Sequence, residues 1–353
     1  MPDVTTFAVG SNFTDPIPGC SYRRLGNGLA DNCHTSGGGE RHIYSIVPAI
    51  DASDTYILLL CRGQEVKDFN GNVVVAGGGV LDTTLRPIGG TCIWSSTVGG
   101  LIYGVNGNVL RSATINSSTH TFDHVTVLYT FSSAATAYMG NSEGKVSADG
   151  DHIAIAEVSP NGCTTRCTRI VLDLFQLSTQ TIVASIDITA SGTQHFDRVH
   201  LTGDNRMTVT YVGNGARCPT GPDCYAGTEL YTQSGSSMVF SEQLLLSDHH
   251  YDDTMAGGHY YIYYGVGSAE KSGCTHQGMG RMDIDSGVRS CVVHTGGAVS
   301  SNDNHISCSW KGWCLWSGYD TSGKTAEYPL NDSWATYWTS HINSEVLAQC
   351  CYR

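Results

Sequence analysis

Positive charge is scarce in this chain: 19 lysines and arginines stand against 32 aspartates and glutamates, for a formal net charge of −13 over 353 residues. Nucleic acids and anionic membrane surfaces are bound through basic patches, so this deficit argues against both as partners. Long apolar runs are also lacking, and no segment approaches the length that spans a bilayer. The first residues lack the charged-then-apolar order of a signal peptide, and we expect a mature chain whose leader has been removed.

Two Cys-X-X-Cys pairs at zinc-ribbon or zinc-finger spacing are missing as well, although the chain has 14 cysteines. An even, high cysteine count is typical of disulfide-bonded proteins outside the cell, and we therefore expect secretion. Asn-X-Ser/Thr triplets would make the protein a glycoprotein in a eukaryotic host. The sequence does not determine the disulfide connectivity, but three cysteine pairs lie close along the chain: Cys163 with Cys167, Cys218 with Cys224, and Cys308 with Cys314.

A turn-and-strand phrase returns along the whole chain. In one copy the tight turn Asp149-Gly150 precedes the β-rich run His152–Ile155. The second turn residues fall at positions 54, 100, 150, 205, 258 and 312, so the spacing is 46 to 55 residues. A fixed period in this range, built from tight turns and β-rich runs, predicts an all-β protein with the β-propeller fold. Each unit would be one four-stranded blade, and the phrase would mark the hairpin between its first two strands.

The chain length indicates a single propeller domain over residues 1–353. Seven blades of roughly 50 residues each would fill this length, but only six phrases are visible. We expect residues 1–40 and 340–353 to share the seventh blade, with a last strand near Glu345–Ala348 closing the ring and hiding its edges. An open ring of six blades is the alternative.

A ring brings residues at equal offsets in different repeats to one central channel. The position seven residues before each second turn residue is apolar in the first two repeats and polar in the later ones: Val47, Ile93, Glu143, Arg198, Tyr251 and His305. A slip of one residue replaces Tyr251 by His250. Asp252 would then lie on the same strand face as His250 and could orient it.

Further polar residues precede or flank these positions. His42 and Tyr44 stand slightly earlier in the first repeat. His195 lies close to Arg198 in sequence, and Arg217 follows in a loop rich in Gly and Cys. One mouth of the channel would then carry His, Arg, Tyr and carboxylate groups together, a mixture expected of a site that binds and deprotonates an anionic substrate.

A structural role is the alternative for each of these residues. Propeller blades carry His and Asp residues that only tie strands together. Arg198 could pair with Asp197 or Asp204 on the surface, where an ion pair contributes about 0–1 kcal/mol. The nearly equal offsets of His250 and His305 in consecutive blades favour a shared site instead, because independent surface histidines have no reason to share a register.

Two sets of residues resemble known propellers. Val146–Ala154, with the pattern Ser-X-Asp-Gly-X-X-Ile-Ala, resembles the repeat of TolB-type propellers. The segments His249-His250 before Gly258–Tyr263, and His305–Ser307 before Gly312, look like consecutive His-bearing blades of oligogalacturonate lyases. Those enzymes are seven-bladed propellers that cleave uronate oligosaccharides by β-elimination.

The lyase resemblance implies a substrate-side role for His250 and a metal-ligand role for His305, with His42 as a further ligand of a divalent ion (Mn, Ca or Zn). Other propeller lyases, which act on ulvan or on rhamnose–glucuronate linkages, use His, Tyr and Arg without a catalytic metal. In that version Arg198 would clamp the substrate carboxylate and His250 would act as the base or its partner. Tyr44 or His305 would complete the catalytic set. The other candidates would bind the substrate: His42, His195, Arg217, Tyr251 and Asp252.

We therefore expect a secreted propeller that binds an acidic polysaccharide or oligosaccharide and cleaves it by β-elimination. Two alternatives stay open. A glycoside hydrolase needs two carboxylates roughly 5–10 Å apart, and Glu143, Asp197 and Asp252 are the candidates. A non-catalytic propeller would bind glycans or proteins without turnover, since fold alone does not specify function.

Overall fold

A computed structural model gives the fold of this protein. The structure describes residue 8 and the ranges 12–14, 21–23, 41–42, 48–60, 64–76, 92–132, 136–138, 145–159, 168–189, 195–212, 227–245, 251–256, 258–266, 278–294, 299–308, 310, 314–320 and 336–339. The regular structure of these segments consists of 25 β-strands and no helix, so none of them contains a helix able to cross a membrane.

The strands fall into groups that follow the sequence repeats, and we call each group a blade. Strands β1 and β2 form a separate pair: Asn12–Thr14 and Ser21–Arg23. Blade 1 contains β3 to β6: Arg41–His42, Tyr56–Leu60, Gln64–Asp68 and Val73–Val75. Blade 2 contains β7 to β10: Ile93–Trp94, Leu101–Asn106, Val109–Asn116 and Thr121–Thr130. Blade 3 contains β11 to β14: Thr136–Tyr138, His152–Ser159, Arg169–Gln176 and Thr181–Asp187.

The second half of the chain continues the same order. Blade 4 contains β15 to β18: His195–Leu201, Met207–Val212, Gly227–Ser234 and Ser237–Leu245. Blade 5 contains β19 to β22: Tyr251–Ala256, His259–Val266, Gly278–Asp283 and Arg289–His294. Blade 6 contains the three described strands β23 to β25: Val299–Cys308, Cys314–Asp320 and Thr336–Thr339. Within every blade, strands adjacent in the chain pair antiparallel.

Each predicted turn lies between the first and second strands of its blade, as the repeat phrase indicated. Only Gly, Asn and Asp adopt a left-handed backbone readily. The second turn residue has this conformation in all five turns where the structure describes it, with φ of 56° at Asp54, 70° at Gly100, 82° at Gly150, 68° at Asn205 and 85° at Gly258. The period in the sequence therefore reflects the need for a residue that adopts a left-handed backbone at each of these turns.

This succession of small antiparallel sheets is a β-propeller, and the predicted fold class is confirmed. The number of seven blades stays a prediction. The proposed closing segment 340–353 lies outside the described residues.

The core lies between blades, because each blade buries both of its faces. On β12 the side chains alternate between the two sides. Ile153 and Ile155 belong to a buried apolar cluster with blades 1 and 2. Ala154 and Ala156 belong to another cluster, with blade 4 residues such as Val199. The blades therefore stabilise one another through shared apolar layers.

Blades 3 and 4 are also joined through their outer strands. Ser185 on β14 and Ser237 on β18 form a single parallel pairing, and the Ser185 N–H donates to the carbonyl of Ser236 at 3.1 Å. The two blades therefore form one eight-stranded sheet.

A buried carboxyl pair lies next to this junction in blade 3. Asp173 on β13 is 1% exposed, and its Oδ1 accepts a hydrogen bond from Ser185 Oγ at 2.6 Å. Burial raises the pKa of Asp173 to about 7, and the neighbouring Glu157 carboxyl acts in the same direction. Asp173 therefore holds its proton in the folded protein at a pH where the unfolded chain has lost it.

We expect Asp173→Asn to flatten the dependence of stability on pH. The folded pKa is raised above the unfolded value, so the stabilising contribution of the protonated group is full at low pH and is lost as pH rises through about 7. This group alone should lower the free energy of unfolding by roughly 2–3 kcal/mol between about pH 5 and about pH 8. Denaturant unfolding at a series of pH values measures the slope for both proteins.

Asp187→Asn on the adjacent strand β14 is the matched control. Asp187 is exposed, and its hydrogen bonds with Thr189 lower its pKa, so its contribution is lost only at acid pH. An Asp173→Asn protein with an unchanged slope over the neutral range would contradict the assignment.

Candidate functional site

Four buried polar residues meet where the first strands of blades 3, 4 and 5 approach one another. Lys145 precedes the first turn of blade 3, His200 lies on β15, and Asp252 and Asp253 lie on β19. The relative exposure of all four side chains is 0%. We call this group the central cluster.

Lys145 carries the positive charge of the central cluster. Its Nζ lies 3.0 Å from Asp252 Oδ1 and 4.0 Å from Asp253 Oδ1, and it donates to the backbone carbonyl of Asp253. The ring of Trp310, between β23 and β24, has its centroid 3.8 Å from Nζ. The ammonium is therefore held by carboxylates and by the face of an aromatic ring, which attracts cations through its quadrupole.

His200 completes the contacts between blades 4 and 5. Its Nε2 hydrogen-bonds to Asp253 Oδ1 and lies 3.9 Å from Asp252 Oδ1. The Nδ1 atom of His200 is buried and has no hydrogen-bond partner in the described segments. The Tyr251 ring packs edge-on to the imidazole, with centroids 6.0 Å apart.

Backbone N–H groups satisfy the remaining carboxylate oxygens. Asp252 Oδ2 accepts from the N–H of Cys308 in blade 6, and Asp253 Oδ2 accepts from the N–H of Gly203 at 3.3 Å. Cys308 is disulfide-bonded, and Cys314 lies directly opposite it in the β23–β24 ladder. The central cluster thus connects blades 3, 4, 5 and 6.

Packing is tight where Trp310 crosses toward blade 3. The indole Nε1 of Trp310 donates to the carbonyl of Val146 at 2.6 Å. A Cβ at Gly203 would lie 2.4 Å from the Tyr260 ring and 3.0 Å from the Trp310 ring, so only glycine fits there. Trp310 is thereby fixed over Lys145.

Burial and charge act in opposite directions on Asp252. Removal from water raises its pKa above the usual value, while Lys145, His200 and the Cys308 N–H favour the ionised form. Asp253 adds to the increase because a second negative charge lies beside it. The central cluster therefore depends on its cationic groups to keep two carboxylates together in a buried place.

Residues of the central cluster share one offset from the turns of their repeats, but this offset differs from the offset of seven that we used to predict the site. Lys145, His200 and Asp253 each stand five residues before the second turn residue of their repeats. The offset of seven selects Arg198 and Tyr251 instead. Since the two offsets differ by an even number, both sets lie on the same face of a regular strand, and only the structure distinguishes them.

The structure describes the side chains of three predicted site residues, and all three are buried. Arg198 is 2% exposed on β15. Tyr251 is 0% exposed, and its hydroxyl contacts the hydroxyls of Thr208 at 2.8 Å and Thr210 at 2.9 Å. Asp252 belongs to the central cluster, so Tyr251 and Asp252 are brought together around His200.

The remaining predicted site residues are described in part or not at all. His42, His195 and His305 lie on β3, β15 and β23, but their side chains are outside the described part of the structure. Tyr44, Arg217 and His250 lie outside the described residues. The catalytic, substrate-binding and metal-binding roles of all these residues stay predictions.

An open cleft lies at the end of the channel where the first turns of the blades are found. It is small and is formed by blades 1 and 2 together with Val146 and Trp310. Its lining combines aromatic rings with carboxylate and hydroxyl groups: Asp51, Asp54, Trp94, Ser95, Ser96 and Trp310. We call this end the turn-side mouth.

Solved structures that are similar to this chain include two oligogalacturonate lyases and TolB. An oligogalacturonate lyase in complex with manganese matches with a TM-score of 0.51 and 10% identity, over 95% of this chain and 85% of that chain. The oligogalacturonate lyase of Vibrio parahaemolyticus matches with a TM-score of 0.48 and 10% identity, over 92% and 83% of the two chains. TolB from Acinetobacter baumannii matches with a TM-score of 0.38 and 14% identity, over 82% and 63%. No protein-family model and no curated protein sequence matches this chain.

The central cluster has the donor types of a metal site. One ligand atom each from His200, Asp252 and Asp253 lies within 4.8 Å of the others. Imidazole and carboxylate groups suit manganese and zinc. However, the ammonium of Lys145 stands among these atoms, and the ring of Trp310 covers it. A divalent ion therefore does not fit the central cluster as it is built.

We expect Lys145→Met to destabilise the protein by about 3–5 kcal/mol, because it removes the buried ammonium that pairs with Asp252 and lies beside Asp253. Adding Asp252→Asn to this variant should restore part of the loss, since Asp253 then keeps His200 as a partner with no second carboxylate beside it. Denaturant unfolding of both single variants and the double variant measures the coupling. Losses that simply add would show that Lys145 acts through packing alone.

Proposed function

We propose that this protein is a secreted, carbohydrate-active propeller that cleaves uronic-acid-containing glycans by β-elimination. The reaction would take place at the mouth of the channel opposite the turn-side mouth. One observation supports this proposal. The first strands of the blades run in the same direction along the channel, and several of them have a histidine near their first residue.

Each first strand ends at the turn that leads into the second strand of its blade. All first strands therefore begin at the same mouth. His42 lies on β3 and His195 is the first residue of β15. His250 directly precedes Tyr251, the first residue of β19. Three blades thus contribute a histidine near the beginning of a channel strand.

The chemistry of β-elimination uses these residue types. The proton next to a uronate carboxylate becomes acidic enough only when the carboxylate charge is neutralised, and an oxyanion clamp of this kind contributes roughly 3–4 kcal/mol. His250 would take the proton or assist the base, and Tyr44 or His305 would assist the leaving oxygen. Arg198 would supply positive charge from its buried position on β15.

The solved oligogalacturonate lyase in complex with manganese supports the proposal at the level of the fold alone. The predicted ligands His42 and His305 would hold a divalent ion, which would supply charge neutralisation for the substrate carboxylate. Secretion is supported by the disulfide bond at Cys308, because such bonds persist outside the cell.

A non-catalytic propeller that binds glycans is the second candidate. The cleft at the turn-side mouth favours it, because aromatic rings beside a few polar groups are typical of ligand sites. The central cluster favours it as well, because its groups are fully buried and hydrogen-bonded to one another.

A panel of uronic-acid polysaccharides and oligosaccharides, followed by ultraviolet absorbance, tests the lyase proposal. We expect absorbance to rise on at least one substrate as the conjugated double bond of an unsaturated uronate forms. Loss of the signal with chelator would support a metal at His42 and His305. Release of reducing sugar without absorbance would favour a glycoside hydrolase, and binding without turnover would favour the second candidate.

His250→Ala should lower kcat/KM by roughly 10²- to 10⁴-fold, the usual contribution of a general acid or base. His249→Ala is the matched control, because neighbouring residues of an extended chain point to opposite sides, and we expect it to keep most of its activity. Circular dichroism and thermal melting establish that both variants are folded. Equal activity of the two variants would reject the role of His250.

A further inference from the structure

We propose that the ammonium of Lys145 is the built-in cation of the central cluster and takes the place that a divalent metal would have there. The native protein then binds no divalent ion among His200, Asp252 and Asp253, and removal of the lysine side chain creates a site that does. This inference concerns the central cluster alone and does not depend on the proposed function.

The distances support an ammonium at the middle of the central cluster. Nζ of Lys145 lies within 4.0 Å of a carboxylate oxygen of both Asp252 and Asp253, at the hydrogen-bond distance of 3.0 Å for Asp252. The third ligand group, the His200 imidazole, also contacts these carboxylates. An ion bound by all three groups would contact carboxylate oxygens of both Asp252 and Asp253. The ammonium of Lys145 approaches these same oxygens.

Trp310 provides independent support. Its ring covers Nζ at 3.8 Å from the centroid, and its own N–H is directed to the carbonyl of Val146. A ring face attracts an organic cation but supplies none of the oxygen, nitrogen or sulfur ligands that divalent metals bind. The side of the central cluster that faces blade 6 is therefore built for an ammonium.

Charge explains why a cation is needed at this place. The two carboxylates are adjacent in sequence and fully buried, and each also accepts a backbone N–H. Buried carboxylates require compensating positive charge or they lose their ionised form. Lys145 supplies one full charge, so a divalent ion would have to approach against its repulsion.

Titration of the folded Lys145→Ala protein with Mn²⁺, followed by electron paramagnetic resonance of the free ion, tests the proposal. We expect one equivalent beyond any that the wild type binds, held at least about 100-fold more tightly than by the central cluster of the wild type, because a short-range repulsion in a poorly solvated site is removed. The thermal midpoint of the variant should rise with Mn²⁺ and fall with chelator by more than that of the wild type, so that ion binding at any other site of the protein cancels in the comparison.

Two variants control for unspecific effects. Lys67→Ala removes another buried lysine, which pairs with Glu65 at 3.4 Å in blade 1, and should gain no Mn²⁺ binding. Adding Asp253→Asn to Lys145→Ala removes a ligand and should abolish the gained binding.

Three results would overturn the proposal. One is a wild-type protein that binds Mn²⁺ and loses it with Asp253→Asn. Another is a folded Lys145→Ala protein that binds no Mn²⁺. The third result applies if Lys145→Ala folds poorly, in which case we expect Mn²⁺ to restore its refolding. The proposal would be overturned if Mn²⁺ failed to do so while Lys67→Ala refolded without the ion.

Discussion

The ion pair between Lys145 and Asp252 is the interaction on which the arrangement of the inner strands depends. A propeller is held together mainly by apolar layers between neighbouring blades, and these layers are not directional. The contacts of Lys145, His200, Asp252 and the Cys308 N–H are directional, and they join four blades at the channel. Buried networks of this kind are costly when incomplete and rigid when complete. They therefore fix how far each first strand advances toward the axis.

The same network separates two parts of the channel with different chemistry. Below it, the turn-side mouth has Trp310, Trp94 and Asp51 around an open cleft. Beyond it, the first strands begin, with His195 as the first residue of β15. A reaction at the mouth opposite the turn-side mouth would take place next to this rigid network, which suits a site that must hold its groups in one geometry.

The fold was predictable from sequence because its period is imposed by the backbone. Asp54, Gly100 and Asn205 all stand at left-handed turn positions that most residues avoid, so the period remains visible where the strands differ. The central cluster was not predictable in the same way. Lys145 has no histidine or aromatic neighbour to attract attention, and it meets Asp252, 107 positions further along the chain, only because the blades between them close part of a ring. Lys145, His200 and Asp253 share one offset in their repeats, but the sequence alone does not show that their side chains meet.

The parallel pairing of Ser185 with Ser237 makes the ring mechanically uneven. Among the described residues the other neighbouring blades share no strand pairing, whereas blades 3 and 4 are joined by one pairing between β14 and β18. Together they form one sheet that is twice as wide as a single blade. The hydrogen bond across this seam opposes displacement of one blade along the other, so we expect blades 3 and 4 to move together.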